Sequence, residues 1–227
     1  MPMQVSTFTS DFDWLVASRQ FICQTIQDCL ANETIVRLAL SGGSTPKPVY
    51  DSLAKESIPF DRLELFQVDE RYVPPESSDL NANMLRETIL KDATLFRGYH
   101  LFDTALTLQN SMQVYEEMLA KLPQPLFHLT ILGIGPDGHT ASLFPHSPAL
   151  ASDQLVASTS TEVFAGRDRL TLTPKALLAS ETILILVNGR EKSAITNAFI
   201  EGKAKKEDLP IMCIHEHKNI HLFWQNG

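Results

Sequence analysis

Short apolar runs alternate with amphipathic stretches along this chain. The apolar runs predict β-strands at residues 35–40, 63–68, 129–134, 182–187, 211–214 and 220–224. Helical spacing of apolar side chains predicts helices over residues 12–30, 46–54, 81–90, 108–121 and 190–200. This alternation favours an α/β fold of three layers, in which helices cover both faces of a mostly parallel, doubly wound sheet.

Nothing in the sequence divides the chain into parts. It shows no repeat of fixed period, and its proline-rich spots at residues 74–75, 123–125 and 145–148 are too short to separate domains. Its 227 residues fall within the range of one three-layer domain. We therefore predict a single domain over residues 1–227.

Charge narrows the range of partners. Hydrophobic residues make up 44% of the chain and charged residues 20%, as in folded globular proteins, and the net charge is −8. The basic cluster of Lys203, Lys205 and Lys206 is flanked by acidic residues. Since binding to a nucleic-acid backbone needs a basic face, we expect no nucleic-acid partner and instead a local pocket for a small anionic ligand.

The cysteine content and the lack of long apolar stretches bear on the cellular compartment of the protein. Cys23, Cys29 and Cys213 are odd in number, and the first two share one predicted helix, which argues against a disulfide framework. The first residues carry no basic start or apolar run, and no stretch approaches the roughly 18 apolar residues of a membrane span. We expect a cytoplasmic protein with no membrane partner.

The first candidate for chemistry is the segment Ser-Gly-Gly-Ser-Thr-Pro at residues 41–46, directly after a predicted strand. Ligands of such sheets bind at the carboxyl ends of the strands. The amides of Gly42 and Gly43 and the hydroxyls of Ser44 and Thr45 can point at one anion, and the following helix N-terminus adds a favourable partial charge. This pattern predicts a phosphate site. The alternative is a tight turn in which Thr45 caps the helix.

A run of charges follows the next predicted strand. Asp69, Glu70 and Arg71 cannot all enter a core unpaired, so some of them must line a cleft. Arg71 can bind a phosphate or carboxylate through two hydrogen bonds, and Asp69 or Glu70 could orient it or act on a sugar hydroxyl. Asn81 follows in the same stretch. The alternative is a solvated strand end with a surface ion pair.

The glycines at residues 133, 135 and 138 match the spacing of a dinucleotide-binding loop after a strand. We reject that interpretation, because Pro145 ends any helix that begins near His139, whereas the dinucleotide fold needs a long helix there. Asp153 also precedes the next apolar run, whereas the ribose-binding acid should follow it. What remains is a glycine-rich loop that presents Asp137 and His139. An imidazole suits general-base catalysis near neutral pH, and the alternative is a structural histidine.

Two further cations follow later in the chain. Lys192 stands in the first turn of a predicted helix, where a cation is unfavourable unless an anion or a partner such as Glu191 offsets it. Arg169, which opens a Leu-Thr-Leu-Thr segment, is a weaker candidate for the same role. The alternative for Lys192 is an exposed lysine without a partner.

Other classes of site are disfavoured. His215, His217 and His221 lack the defined ligand spacing of a zinc site, so we expect no metal. The chain contains neither the G-x-S-x-G segment of α/β-hydrolases nor a phosphate-binding P-loop.

Taken in order, these segments resemble the 6-phosphogluconolactonase family in its single-domain α/β form. The matching segments are residues 41–46, 69–74 with Asn81, 133–145, 169–173 and 189–192. They span most of the chain, and the glycine–histidine segment is highly specific. The chain departs from the family pattern at Leu80, where serine is usual, and after Trp224, where the usual Asp and Ala-rich tail is missing.

The resemblance implies a sheet of the ribose-phosphate-isomerase and CoA-transferase type, no metal or organic cofactor, and hydrolysis of 6-phospho-gluconolactone in the oxidative pentose phosphate pathway. It implies that His139 deprotonates the attacking water, with Asp69, Asp137 and Asn81 as orienting residues. The residues implied in binding the sugar-phosphate substrate are Gly42, Gly43, Ser44, Thr45, Arg71, Asn81, Arg169 and Lys192.

Two alternatives stay open at this point. The related hexosamine-phosphate isomerases usually carry Asp-Glu-Tyr at the position of residues 69–71 and continue after the histidine with Ile-Ala-Phe-Asn-Glu-Pro, so both segments favour the lactonase. A sugar-phosphate sensor without turnover would carry a DNA-binding module. The segment before the first predicted strand is only about thirty residues long and has no basic helix, and the chain retains His139.

Overall fold

The computed structural model describes residues 3–164 and 167–227. In these ranges the strands are β1 Gln4–Phe8, β2 Val36–Leu40, β3 Leu63–Gln67, β4 Asp69–Arg71, β5 Gly98–His100, β6 Phe127–Gly133, β7 Val156–Ser160, β8 Asp168–Leu172, β9 Ser180–Asn188 and β10 Ile220–Gln225. The helices are α1 Asp11–Leu30, α2 Lys47–Leu53, α3 Asn81–Glu87, α4 Leu108–Leu119, α5 Pro174–Leu178 and α6 Ser193–Glu201.

The main sheet is parallel throughout its described strands, in the order β1-β10-β9-β6-β2-β3-β5. From β2 the chain builds outward through β3 and β5, and it then returns to the other side of β2 to add β6, β9 and β10. The direction of winding therefore reverses between β2 and β6. In open α/β sheets, such a reversal leaves a crevice at the carboxyl ends of the two strands.

Both faces of the main sheet are buried, which explains the continuous apolar runs. Along β9, Ile183, Ile185 and Val187 pack on the face covered by α4 and α6, whereas Leu184 and Leu186 pack on the face covered by α1 and α2. A strand covered on both sides needs apolar residues at successive positions rather than at alternate ones. The predicted three-layer α/β fold with a parallel, doubly wound sheet is confirmed.

The helices begin where the sequence supplies caps. The side chain of Ser10 accepts a hydrogen bond from the backbone N–H of Asp13 at the start of α1, and Thr107 accepts one from Asn110 at the start of α4, both at 3.3 Å. Trp14 opens the buried stripe of α1 against the sheet. None of the helices in the described ranges is both long and apolar enough to cross a membrane.

A second, antiparallel sheet of three strands follows the order β4-β8-β7. A single residue, Val68, separates the end of β3 from the start of β4, so the chain passes from the main sheet directly into the small one. In the register of β4 with β8, Asp69 lies opposite Thr171 and Arg71 lies opposite Arg169. The small sheet thereby places two candidate binding residues side by side.

The sequence-based assignment is wrong at several elements. Residues 211–214 were predicted as a strand but belong to a 3-10 helix, Pro210–Ile214. Pro210 starts that turn, and the N–H of Ile211 donates to the carbonyl of Gly138, 3.0 Å away, instead of joining a sheet. The first strand is β1, far ahead of the predicted start at residue 35, and the short strands β4, β5, β7 and β8 and the short helix α5 were not predicted.

Candidate active site

The candidate residues meet in a cleft of about 390 Å³ at the point where the sheet reverses. Loops after β2 and β6 form its floor, and the small sheet and the start of α6 form its walls. The predicted site residues that line it are Gly42, Gly43, Ser44, Thr45, Asp69, Arg71, Asn81, His139, Arg169 and Lys192. Asp137 lies behind His139 and contacts its ring.

The glycine-rich loop after β2 packs tightly on one side and is open on the other. A Cβ at Gly42 would lie 2.3 Å from Cγ of Asn81, so no side chain fits there. Gly43 has φ of +97° and open space at its Cβ position. Thr45 does not cap α2, because the cap position is Pro46 and carries no side-chain hydrogen bond. The hydroxyl of Thr45 is therefore not committed to the capping role that was the alternative interpretation.

Three cationic side chains converge on the cleft: Arg71, Arg169 and Lys192. Burial lowers the pKa of Arg169, and the nearby carboxylate of Asp69 opposes this shift. Burial also lowers the pKa of Lys192, against the effect of the Glu191 carboxylate. Partly desolvated cations attract anions, and the charge of Arg71 further lowers the pKa of Arg169. The arrangement favours a ligand with concentrated negative charge.

Asp69 is the acidic residue in the wall that the small sheet forms. It is buried, and its carboxylate accepts a hydrogen bond of 2.6 Å from the hydroxyl of Ser142. Burial raises the pKa of Asp69, and the Ser142 hydrogen bond and the charges of Arg169, His139 and Arg71 oppose the rise. Its neighbour Glu70 is wholly buried and does not line the cleft, so the hypothesis that Glu70 acts on a sugar hydroxyl is wrong.

His139 and Asp137 form a hydrogen-bonded pair in the loop after β6. The imidazole Nδ1 lies 2.5 Å from Oδ1 of Asp137, which also accepts the backbone N–H of His139 at 3.1 Å. Burial alone would raise the pKa of Asp137, but its hydrogen bonds and charge interaction with His139 outweigh this and lower it. An ionised Asp137 fixes the proton of His139 on Nδ1, which leaves Nε2 as the basic nitrogen.

The backbone at Gly135 forms the seat of this imidazole. Its N–H donates to the carbonyl of His139 at 2.8 Å, and a Cβ at Gly135 would lie 2.1 Å from Cε1 of the ring. A glycine is therefore required at this position. Between β6 and β7, where every residue is described, the chain forms only the short 3-10 helix Pro148–Ala151, so the long helix of a dinucleotide-binding loop does not follow.

Two aromatic rings pack around His139, and the sequence did not indicate either of them. The ring centroids of Phe144 and Phe164 each lie 5.0 Å from that of His139, and the Arg169 guanidinium carbon lies 5.9 Å from the Phe144 centroid. Phe144 lies in the glycine–histidine segment, residues 133–145, where its role could have been considered. Phe164 comes from the loop between β7 and β8, which has no pattern that would identify it.

The three C-terminal histidines each contact a different partner. His217 Nε2 lies 2.8 Å from the carbonyl of Ser180, His221 Nε2 lies 3.1 Å from the side-chain oxygen of Asn219, and His215 packs edge-on against Phe199. Within residues 3–164 and 167–227, no group of three or more His, Cys, Asp or Glu side chains is arranged to hold a metal ion. Over the same ranges the cysteines are unpaired.

A histidine that is hydrogen-bonded to a carboxylate, beside cationic side chains at a sheet switch point, is an arrangement suited to acid–base chemistry on an anionic substrate. The sequence model described as glucosamine-6-phosphate isomerases/6-phosphogluconolactonase matches residues 13–224. The chain belongs to this family.

Individual relatives share the lactonase name. The chain is 34% identical over 207 residues to the 6-phosphogluconolactonase of Synechocystis sp., which covers 86% of this chain and 85% of the relative. It is 36% identical over 191 residues to the 6-phosphogluconolactonase of Thermotoga maritima, and the match covers 79% of this chain and 86% of the relative. The structure of 6-phosphogluconolactonase from Trypanosoma brucei superposes with a TM-score of 0.86 at 27% identity, over 99% of this chain and 97% of that one. The resemblance drawn from the motifs is confirmed.

Proposed function

We propose that this protein hydrolyses 6-phospho-D-glucono-1,5-lactone to 6-phospho-D-gluconate, with His139 as the general base. The observation that carries the proposal is the His139–Asp137 pair on the floor of a cleft whose walls present Arg71, Arg169 and Lys192. The shared name of the curated relatives supports this substrate. A role in the pentose phosphate pathway follows from the same reaction.

The chemistry assigned to the pair is a two-stage proton transfer. Nε2 of His139 takes a proton from water as the water oxygen attacks the lactone carbonyl carbon. The bond to the ring oxygen then breaks, and the imidazolium returns the proton to that oxygen. Asp137 keeps the imidazole in the required tautomer and stabilises its charged form through the Nδ1 hydrogen bond.

The cations on the walls of the cleft have two anionic groups to bind. The phosphate at C6 carries about −1.5 to −2 charges near neutral pH, and a tetrahedral oxyanion forms at C1 during attack. Arg71 and Arg169 stand side by side across β4 and β8, which suits two oxygens of one phosphate. The loop with Gly42 and Gly43 adds backbone amides to the same region.

The test compares two reactions catalysed by the purified protein. Hydrolysis of the lactone is followed by proton release in a pH-stat with the spontaneous rate subtracted, and deamination of glucosamine-6-phosphate is followed by ammonium release. We expect accelerated lactone hydrolysis and no ammonium. Ammonium release without lactone hydrolysis would contradict the proposal. The cytoplasmic location and the lack of a nucleic-acid partner stay predictions.

A further inference from the structure

Glu70 is a carboxylate sealed inside the wall of the cleft. It has no exposed surface and lies on β4 between two residues that do line the cleft. Its Oε1 accepts the backbone N–H groups of Arg71 and Asn81, both at 2.7 Å. Its Oε2 accepts Nε2 of Gln67 at 2.7 Å and the backbone N–H of Ala82 at 2.9 Å. One side chain thus ties β4 to the first turn of α3.

The partners of Glu70 require it to be charged. Gln67 has a fixed orientation, because the backbone N–H of Phe102 donates to its Oε1 at 3.0 Å and so turns its NH₂ group toward Glu70. All four contacts are therefore donors, and a protonated carboxyl group would have no acceptor among them. Burial raises the pKa of Glu70, and these hydrogen bonds oppose the rise. Hydrogen bonds to an ionised group are stronger than neutral ones.

The hydrogen bonds of Glu70 fix the positions of Arg71 and Asn81, two residues that line the cleft. The Asn81 side chain fills the space beside Gly42 and donates to the carbonyl of Asp69 at 3.1 Å. Arg71 donates from Nη1 to the carbonyl of Asp79 at 2.9 Å, in the loop that leads into α3. A shift between β4 and α3 would therefore move the guanidinium group and the glycine-rich loop together.

We propose that Glu70 is a positioning residue for phosphate recognition, which acts through Arg71 and Asn81 without touching the ligand. This inference rests on the proposed function, because it assigns the phosphate of the substrate to the wall that Glu70 holds. It predicts a defect in ligand affinity rather than in the proton transfer by His139, which lies on a different loop.

The experiment uses Glu70→Gln, which keeps the shape but replaces one acceptor oxygen with a donor group that faces other donors. Glu87→Gln, at the exposed end of α3, is the matched control. We measure kcat and KM for the lactone, and calorimetric affinities for 6-phosphogluconate and for gluconate, well below the unfolding temperature. Glu70→Gln should reduce affinity for 6-phosphogluconate about tenfold, the loss expected for a charge-assisted contact, whereas affinity for gluconate and kcat should change less than about threefold. Glu87→Gln should match the wild type.

A double-mutant cycle identifies the route of the effect. In an Arg71→Ala background, Glu70→Gln should add little to the loss of 6-phosphogluconate affinity, because the group that it positions is gone. Full additivity would overturn the inference, as would a folded Glu70→Gln variant with normal selectivity for phosphate. If wild-type protein fails to hydrolyse the lactone, the proposed function fails instead.

A milder variant covers the case in which Glu70→Gln does not fold. Gln67→Met removes one of the four donors and leaves the carboxylate and the backbone donors in place. It should weaken binding of 6-phosphogluconate about threefold relative to gluconate, in line with the loss of one of the four hydrogen bonds to Glu70. The N–H of Phe102 also loses its acceptor, which should lower stability and not the selectivity for phosphate. Unchanged selectivity, or failure of both variants to fold, would overturn the inference and leave Glu70 as a structural residue.

Discussion

Replacing Gly135 by alanine tests whether the backbone seat of His139 matters to catalysis. The added Cβ would lie 2.1 Å from Cε1 and 2.2 Å from Nδ1 of the imidazole, whereas ordinary contacts begin at 3.4 Å. The ring must therefore retreat by about 1.3 Å. Gly135 does not have a positive φ, so alanine brings no backbone strain of its own.

That displacement sets the size of the expected loss. If the ring retreats away from Asp137, a displacement of this size stretches the 2.5 Å hydrogen bond beyond hydrogen-bonding distance, and a retreat in any direction moves Nε2 from its present position. Misplacement of a reacting group by about 1 Å can cost roughly a hundredfold in rate. We expect kcat to fall about a hundredfold and affinity for 6-phosphogluconate to change less than about threefold. Overpacking should cost about 1–3 kcal/mol in stability.

The assay is lactone hydrolysis in a pH-stat, with calorimetric product binding and thermal unfolding measured on the same samples. Gly98→Ala is the control, because its Cβ would also face a histidine ring, that of His100, but at the ordinary distance of 3.7 Å. It should behave as wild type. If Gly135→Ala keeps near-normal kcat, the position of the ring does not depend on this seat, and the geometric reasoning about His139 is refuted.

Three further predictions concern the pocket. Arg71→Ala and Lys192→Ala should each reduce affinity for 6-phosphogluconate by roughly ten- to a hundredfold more than affinity for gluconate. Equal losses for the two ligands would show that these side chains support the fold instead. Burial raises the folded-state pKa of Asp69, so its ionised form lowers stability increasingly as pH rises from about 3.9 through that raised value. The melting temperature of Asp69→Asn should therefore exceed that of the wild type by more at pH 8 than at about pH 4, and a margin that does not widen would be against this. Lactone hydrolysis should persist after exhaustive treatment with a chelator. Loss of activity that added zinc restores would contradict this prediction.

The apolar runs predicted the central strands of the main sheet and missed its outermost strands, β1 and β5, and the whole of the small sheet. β9 carries apolar residues at successive positions because both of its faces are buried, so its run is visible in the sequence. β4 consists of Asp69, Glu70 and Arg71, which no strand preference would select. Those residues are extended because β8 pairs with them, and pairing between distant segments is a tertiary effect that local patterns do not contain.

The candidate site shows the same division. Glycine-rich loops at strand ends identified where the chemistry gathers, since the fold brings the carboxyl ends of β2 and β6 together. The sequence did not distinguish Asp69, which faces the cleft, from Glu70, which is sealed behind it, because neighbouring strand residues point to opposite sides. Phe164 was missed since its loop has no periodicity. The single domain over residues 1–227 and the roles of the site residues stay predictions.

The most direct measurement of the central claim is the turnover of His139→Asn. Asparagine keeps a polar group in the loop but cannot accept a proton near neutral pH. We predict that kcat for the lactone falls by about a hundred- to ten-thousandfold, while calorimetric affinity for 6-phosphogluconate and the melting temperature stay near those of the wild type. Near-normal turnover would show that His139 is not the base, and loss of turnover, binding and stability together would show that it is a structural residue.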